Sequence, residues 1–151
     1  MDLISPAFDN EGTIPSKYTC DGDDVIPPLE MVDVPSKTKS LALIVEDPDV
    51  PTSIRPDGMW DHWLVWDIDP ATSKIEEGQT PDGVVGKNTG GDDGYMGPCP
   101  PDKEHRYFFR LYALDVENLN LDAGAKKDDL LQAMQGHILQ EAVLMGRYDR
   151  S

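Results

Sequence analysis

Asp47-Pro-Asp-Val-Pro51 leads through a short loop to Trp60-Asp-His-Trp63, and the chain continues as the apolar run Trp63-Leu-Val-Trp-Asp-Ile68. That run has strand length and is rich in β-branched and aromatic residues, so the Pro-rich segment before it reads as a loop at a strand end. The arrangement recurs downstream. Gly94-Tyr-Met-Gly-Pro-Cys-Pro-Pro101 leads to His105-Arg-Tyr107 and into a second apolar run, Arg106-Tyr-Phe-Phe-Arg-Leu-Tyr-Ala-Leu114. The two stretches hold two of the three histidines and two of the three tryptophans. A histidine able to carry a proton near neutral pH, an aspartate to orient it and stiff Pro/Gly loops are the parts of a pocket for a small polar ligand.

Working outward, Ser40-Leu-Ala-Leu-Ile-Val-Glu46 is a further strand-length run, and Val84-Val-Gly-Lys-Asn88 reads as a short strand entering the Gly-rich loop 90–97. The imperfect alternation of Arg106 to Leu114 suits a strand buried on both faces. One helix is predicted, Lys126 to Gln135, with Leu130, Leu131 and Met134 as its apolar stripe and Gly136 as its terminator. Ile138 to Met145 is ambiguous, since Ile138, Leu139, Ala142 and Val143 have helical spacing. Pro and Gly, 13 each, are spread through the chain without marking a linker or repeat. Many short elements joined by turns, with one late helix, predict a mainly β protein of antiparallel sheets.

The 151 residues suffice for one domain with a core of its own. A net charge of −16 repels nucleic acid and anionic membrane surfaces, which argues against both as partners. The charge serves solubility; adaptation to high salt is the alternative, and stability unchanged between low and molar salt would count against it. No apolar run approaches the roughly 20 residues of a membrane span. The start, Met1-Asp-Leu-Ile-Ser-Pro6, has neither a basic region nor a long apolar stretch, so a cytoplasmic location is expected.

The two quoted stretches resemble the signature regions of the phosphatidylethanolamine-binding protein family, which includes the Raf kinase inhibitor protein. The first reads D-P-D-x-P then W-x-H; the second reads G-Y-x-G-P-x-P-P then H-R-Y. Further similarity lies in Tyr18-Thr-Cys-Asp-Gly22 with Pro27-Pro-Leu29, and in Gly136-His-Ile through Gly146-Arg-Tyr148. Nearly the whole chain takes part, in the family's order, and it is most similar to the short bacterial and archaeal members. The resemblance implies a Greek-key antiparallel β-sandwich with one or two short peripheral helices, and it makes Ile138 to Met145 a closing strand.

Carried over position by position, the resemblance implies a small-anion site, for phosphate or a phosphorylated head group. Its residues are Asp47, Pro51, Trp60, His62, Gly97, Pro98, Pro101, His105 and Tyr107. A protonated histidine, inward backbone N–H groups and the Tyr107 hydroxyl would offset the acidic field, with Asp47 holding a histidine as its cation. Asp49 is expected to tie down its loop, and Arg106 to point away from the site and pair with an aspartate. His137 is expected to interact with the helix carboxyl end. For Cys20 and Cys99, which lack metal-ligand spacing, the resemblance places both segments near one end of the fold. A bridge is therefore open, although reduced thiols are the expectation for an intracellular protein.

Binding rather than turnover is implied, without cofactor or metal. There is no H-x-x-x-H or H-x-H pair, and no serine in a nucleophile elbow. The alternatives are a protein-interaction module inhibiting a protease or kinase, with a surface at Thr52 to Met59, and a hydrolase using the same pocket with Cys99 as nucleophile. A homodimer is a further expectation from the resemblance.

Overall fold

The computed structural model describes residues 1–150. Its framework is a five-stranded antiparallel sheet built from β3 (Ser40–Asp47), β4 (Trp60–Ile68), β6 (Val84–Val85), β7 (His105–Leu114) and β8 (Ile138–Tyr148), in the order β6-β4-β3-β7-β8. A smaller sheet of β1 (Asp2–Ile4), β2 (Leu29–Val32) and β5 (Lys74–Ile75), ordered β1-β2-β5, packs on one face of it. The helix α1 (Lys127–Met134) covers the other face.

Two-residue periodicity explains this layering. On β3, Leu41, Leu43 and Val45 enter the core shared with Leu3, Leu29, Met31 and Ile75 of the small sheet, while Ala42 and Ile44 pack with Leu130 and Met134 of α1. A strand sandwiched in this way has no solvent face, which is why the β3 sequence reads as a continuous apolar run rather than an alternating one. β7 alternates at its start and is buried on both sides from Leu111 onward. β8 has helical spacing, but Gly136, at φ 84°, adopts a left-handed turn that ends the helix, and the segment then pairs with β7 from Ile138 to Tyr148.

β7 returns beside β3 after the long connection 86–104, so β6-β4-β3-β7 is a Greek-key order. The expected strand Val84 to Asn88 is shorter than predicted. Its regular pairing ends at Val85; Gly86 packs against Trp66 and Leu64, leaving no room for a side chain, and the chain stays beside β4 through single bonds from the Gly86 N–H to the Leu64 carbonyl and from the Thr89 N–H to the Asp61 carbonyl, each at 2.9 Å. No helix among the described residues is long and apolar enough to cross a membrane.

Candidate functional site

Asp47 ends β3, Trp60 and His62 begin β4, and His105 and Tyr107 begin β7, so antiparallel pairing brings all five to one end of the large sheet. A register shift sharpens this. Val45 faces Trp63 but Asp47 faces Trp60, so two β4 residues, Asp61 and His62, lie opposite Glu46 alone. Such a bulge re-aims side chains. Trp63 stays in the core, and its neighbour His62 turns into a cavity of about 240 Å³. The walls of that cavity are mostly apolar: Val50, Ile54, Trp60, Met96, Pro100 and Pro101. Its polar wall is Asp47, His62, His105 and Tyr107.

His105 holds a charge. Nδ1 donates to Asp47 Oδ2 and Nε2 to Asp102 Oδ1, each at 2.6 Å, and a ring that donates from both nitrogens is an imidazolium. Burial opposes that charge, but the bonds to the two carboxylates outweigh it and raise the ring's basicity. Burial pushes the Asp47 carboxyl up from its ordinary value, with His105 opposing. Asp47 Oδ1 also accepts the Asp49 N–H at 2.7 Å. Asp49 in turn is gripped by Arg106, whose Nε, Nη2 and backbone N–H all donate to its carboxylate within 2.9 Å. The Arg106 bonds hold the Asp49 carboxyl below the usual range. Asp49 thus ties its loop to β7, and Arg106 points outward, as the alternation of a strand requires.

His62 is neutral. Its Nδ1 lies 2.6 Å from the Met96 carbonyl, to which the neutral ring donates. Burial with no carboxylate beside it lowers its pKa from 6.5 to about 4. Of the two pocket histidines, only His105 is therefore the expected cation. Tyr107 stands between them, edge-on to His62 at 5.3 Å and stacked with His105 at 6.4 Å between centroids. Its hydroxyl is buried without a hydrogen-bond partner in the protein, and burial drives its pKa upward, so it is a neutral donor.

The loop 95–101 forms the opposite wall, and its backbone is used differently from expectation. The Gly97 N–H donates to Asp24 Oδ1 at 2.9 Å and the Met96 N–H to the His62 carbonyl at 2.9 Å, so neither is turned to a ligand. A Cβ on Gly97 would collide with Asp24 Oδ1 and would lie 2.6 Å from the Tyr18 carbonyl oxygen. Glycine is needed here for the close approach of segment 18–24. Cys20 and Cys99 form a disulfide across this contact, with Cα atoms 5.5 Å apart. The bridge replaces the expected reduced thiols, because the Cys20 N–H to Pro98 carbonyl bond at 3.1 Å lays the two segments side by side. Cys99, the expected candidate nucleophile, has its sulfur in that bridge.

Seven of the nine expected residues line the cavity: Asp47, Trp60, His62, Gly97, Pro101, His105 and Tyr107. Pro98 does not, because it is buried against segment 18–24 through its carbonyl. Pro51 does not either; its carbonyl accepts the N–H groups of Ile54 and Arg55 and starts the rim turn, which places Ile54 in the wall instead. His137 meets the helix carboxyl end through its backbone, its N–H donating to the Met134 carbonyl at 2.9 Å, while its ring pairs through Nδ1 with Asp115 at 2.9 Å. Asp102 was not expected at all. Among the described residues, no three His, Cys, Asp or Glu side chains are grouped to hold a metal ion.

A model of the phosphatidylethanolamine-binding protein family matches residues 4–149. A UPF0098 protein of Chlamydia muridarum is 52% identical over 150 residues, 99% of each chain, and one of Methanothermobacter thermautotrophicus is 51% identical over 156 residues, 99% of each. Among solved structures, a phosphatidylethanolamine-binding protein homologue of Chlamydia trachomatis superposes with a TM-score of 0.96 at 51% identity, over 99% of this chain and 97% of the other. Escherichia coli YbcL, described as a member of the mammalian family, superposes at 0.89 with 27% identity over 99% and 98%. With the family model spanning nearly the whole chain and relatives above 50% identity matched end to end, this chain belongs to the phosphatidylethanolamine-binding protein family.

Proposed function

We propose that this pocket binds a small oxyanion, phosphate or a phosphorylated head group, and that the chain is a binding module rather than a catalyst. The observation that carries the reading is the Tyr107 hydroxyl, a buried donor without a protein partner between two histidines. Buried polar groups are nearly always hydrogen-bonded, so a donor left alone in a cavity calls for an acceptor from outside. His105 adds a fixed positive charge, and its Nε2 already pairs with an anionic oxygen of this chain. The apolar walls leave such charge-assisted bonds poorly screened, which strengthens them. Binding without turnover is supported by the closed state of Cys99 and by the saturation of His105, whose two nitrogens both hold protons.

A role inhibiting a partner protein would use the rim. Ile54 lines the cavity and is 51% exposed, an apolar group well placed for contact with a partner that covers the mouth.

The test is an NMR titration with inorganic phosphate and O-phosphorylethanolamine, following the imidazole signals of His62, His105 and His137. Saturable shifts at His62 and His105, with little change at the distant His137, are expected. No response at millimolar ligand would remove the anion-pocket reading.

A further inference from the structure

The chain's two cysteines both lie in the bridge between segment 16–24 and the cavity wall, and both are exposed. The two sides of that bridge are held unequally. Segment 16–24 has anchors of its own: the Tyr18 hydroxyl donates to Glu77 Oε1 at 2.5 Å, and Asp21 Oδ2 accepts the hydroxyl of Tyr148, at the end of β8, at 2.6 Å. The wall loop is anchored in its first part, where the Tyr95 hydroxyl donates to the Tyr18 carbonyl at 2.7 Å and the Gly97 N–H to Asp24. Beyond Gly97, the prolines at 98, 100 and 101 have no N–H to donate. The Pro98 carbonyl accepts the Cys20 N–H at 3.1 Å, which leaves the covalent bond as the strongest tie of 98–101 to segment 16–24. Cys99, Pro100 and Pro101 all line the cavity, so whatever holds this stretch shapes the pocket.

We propose that the Cys20–Cys99 bridge is a redox latch on the pocket wall, opened by a dithiol reductant while the sheets stay folded, and closed again by exchange with a small disulfide. An exposed bridge can be attacked by a thiolate in the folded state, whereas a buried one must wait for unfolding. One thiolate of the dithiol attacks a cystine sulfur, forms a mixed disulfide and expels the other cysteine as a thiolate, which takes up a proton. The dithiol's second sulfur gives up its proton and attacks the mixed disulfide. That closes the reductant's own disulfide and releases the second cysteine, which is protonated in turn. Two electrons and two protons thus reach the cysteines, and the dithiol is oxidised. The strands of the large sheet keep their pairing, because no ladder bond runs through residues 98–101. The outer wall of the cavity is freed, whichever ligand the cavity holds.

The experiment treats the natural chain with dithiothreitol at neutral pH, without denaturant. Alkylation and mass measurement count the free thiols, and two-dimensional NMR follows the backbone amides and the imidazoles. Both cysteines are expected to become reactive while the amide signals of β7 and β8 stay in place. The amides of Met96, Gly97 and Cys99 should move, and so should the His62 ring, which donates to the Met96 carbonyl; the distant His137 should not. Hydroxyethyl disulfide should restore the original spectrum. Cys20→Ser/Cys99→Ser should show the reduced chain's spectrum from the start and ignore dithiothreitol. A bridge that resists dithiothreitol until denaturant is added is a structural staple and overturns the proposal, as does collapse of the β7 and β8 signals on reduction. Reduction that leaves the Met96, Gly97, Cys99 and His62 signals unmoved overturns it as well, since the wall is then held without the bond. These readouts need no ligand, so a failure of the anion-pocket reading leaves the latch standing.

Discussion

His62 and His105 face the same tyrosine ring from two sides, yet one is neutral and the other charged. The difference lies in what each ring nitrogen meets. His62 is buried beside a carbonyl on a clamped loop, and its pKa falls to about 4; His105 is buried between two carboxylates, and its basicity rises. Burial acts in the same direction on both, so the partners decide the outcome. The pocket consequently has one cationic corner and one neutral corner, fixed by different means: charge on the β7 side, covalent and backbone clamping on the loop side.

The strongest way to break the comparison is to release the clamp. The disulfide joins residues 79 apart in sequence, and the chain-entropy account assigns a closed loop of that length about 4 kcal/mol. Cys20→Ser/Cys99→Ser should therefore lose about that much in chemical denaturation. It should also raise the His62 pKa towards 6.5, because water reaches a ring whose Met96 carbonyl is no longer held. His105 should move little. An unchanged His62 with full stability would show that the loop is held by its hydrogen bonds to Tyr18, Asp24 and the backbone of residue 20 without the bridge.

The pH dependence sharpens the comparison next. His62 has a depressed folded pKa, so the unfolded chain binds the extra proton first. Its contribution is complete above the unfolded value of 6.5 and is lost as pH falls through about 4, roughly 3 kcal/mol in all. His105 has a raised folded pKa, and its contribution is complete below 6.5 and lost as pH rises through the folded value. Stability should therefore fall on both sides of pH 6.5. His62→Asn should flatten the acid side down to about pH 4, below which carboxylates held low, such as Asp49 and Asp102, take over. Unfolding free energies from pH 4 to 9 check this; a single common titration of both rings near 6.5 would abolish the distinction.

Much of this architecture was legible in the chain. The long strands β3, β4, β7 and β8 are apolar runs bounded by Pro and Gly, and the resemblance decided β8 where periodicity pointed to a helix. The strands β1, β2 and β5 were not legible, since two to four residues are too few for alternation to register. In the site, the His, Asp and Tyr positions were named by the family resemblance, since each residue alone reads equally well as a turn or core-edge group. The charges on the histidines could not be read. His62 is neutral because burial disfavours its charge, and that burial, set up by a bulge, comes from tertiary packing. Asp102, in Pro101-Asp-Lys-Glu-His105, reads as a solvated turn until the fold places it on the imidazole. The bridge depended on a Cα separation that sequence does not encode.

The smallest expected effect tests the group shared by the two corners. Tyr107→Phe removes only the hydroxyl, to which no neighbouring group of the protein offers a hydrogen bond. A buried donor without a partner is a cost to the fold, so its deletion should leave stability unchanged or raise it by about 1 kcal/mol. The two histidines should keep their opposite charges, since neither bonds to the hydroxyl. Phosphate binding, in contrast, should weaken markedly if the proposed anion site uses this hydroxyl, because a ligand oxygen then loses its donor. Thermal stability kept or raised while phosphate binding falls is therefore the result expected if the hydroxyl is kept for a ligand. A loss of stability with binding intact would mean that Tyr107 is only a piece of the core.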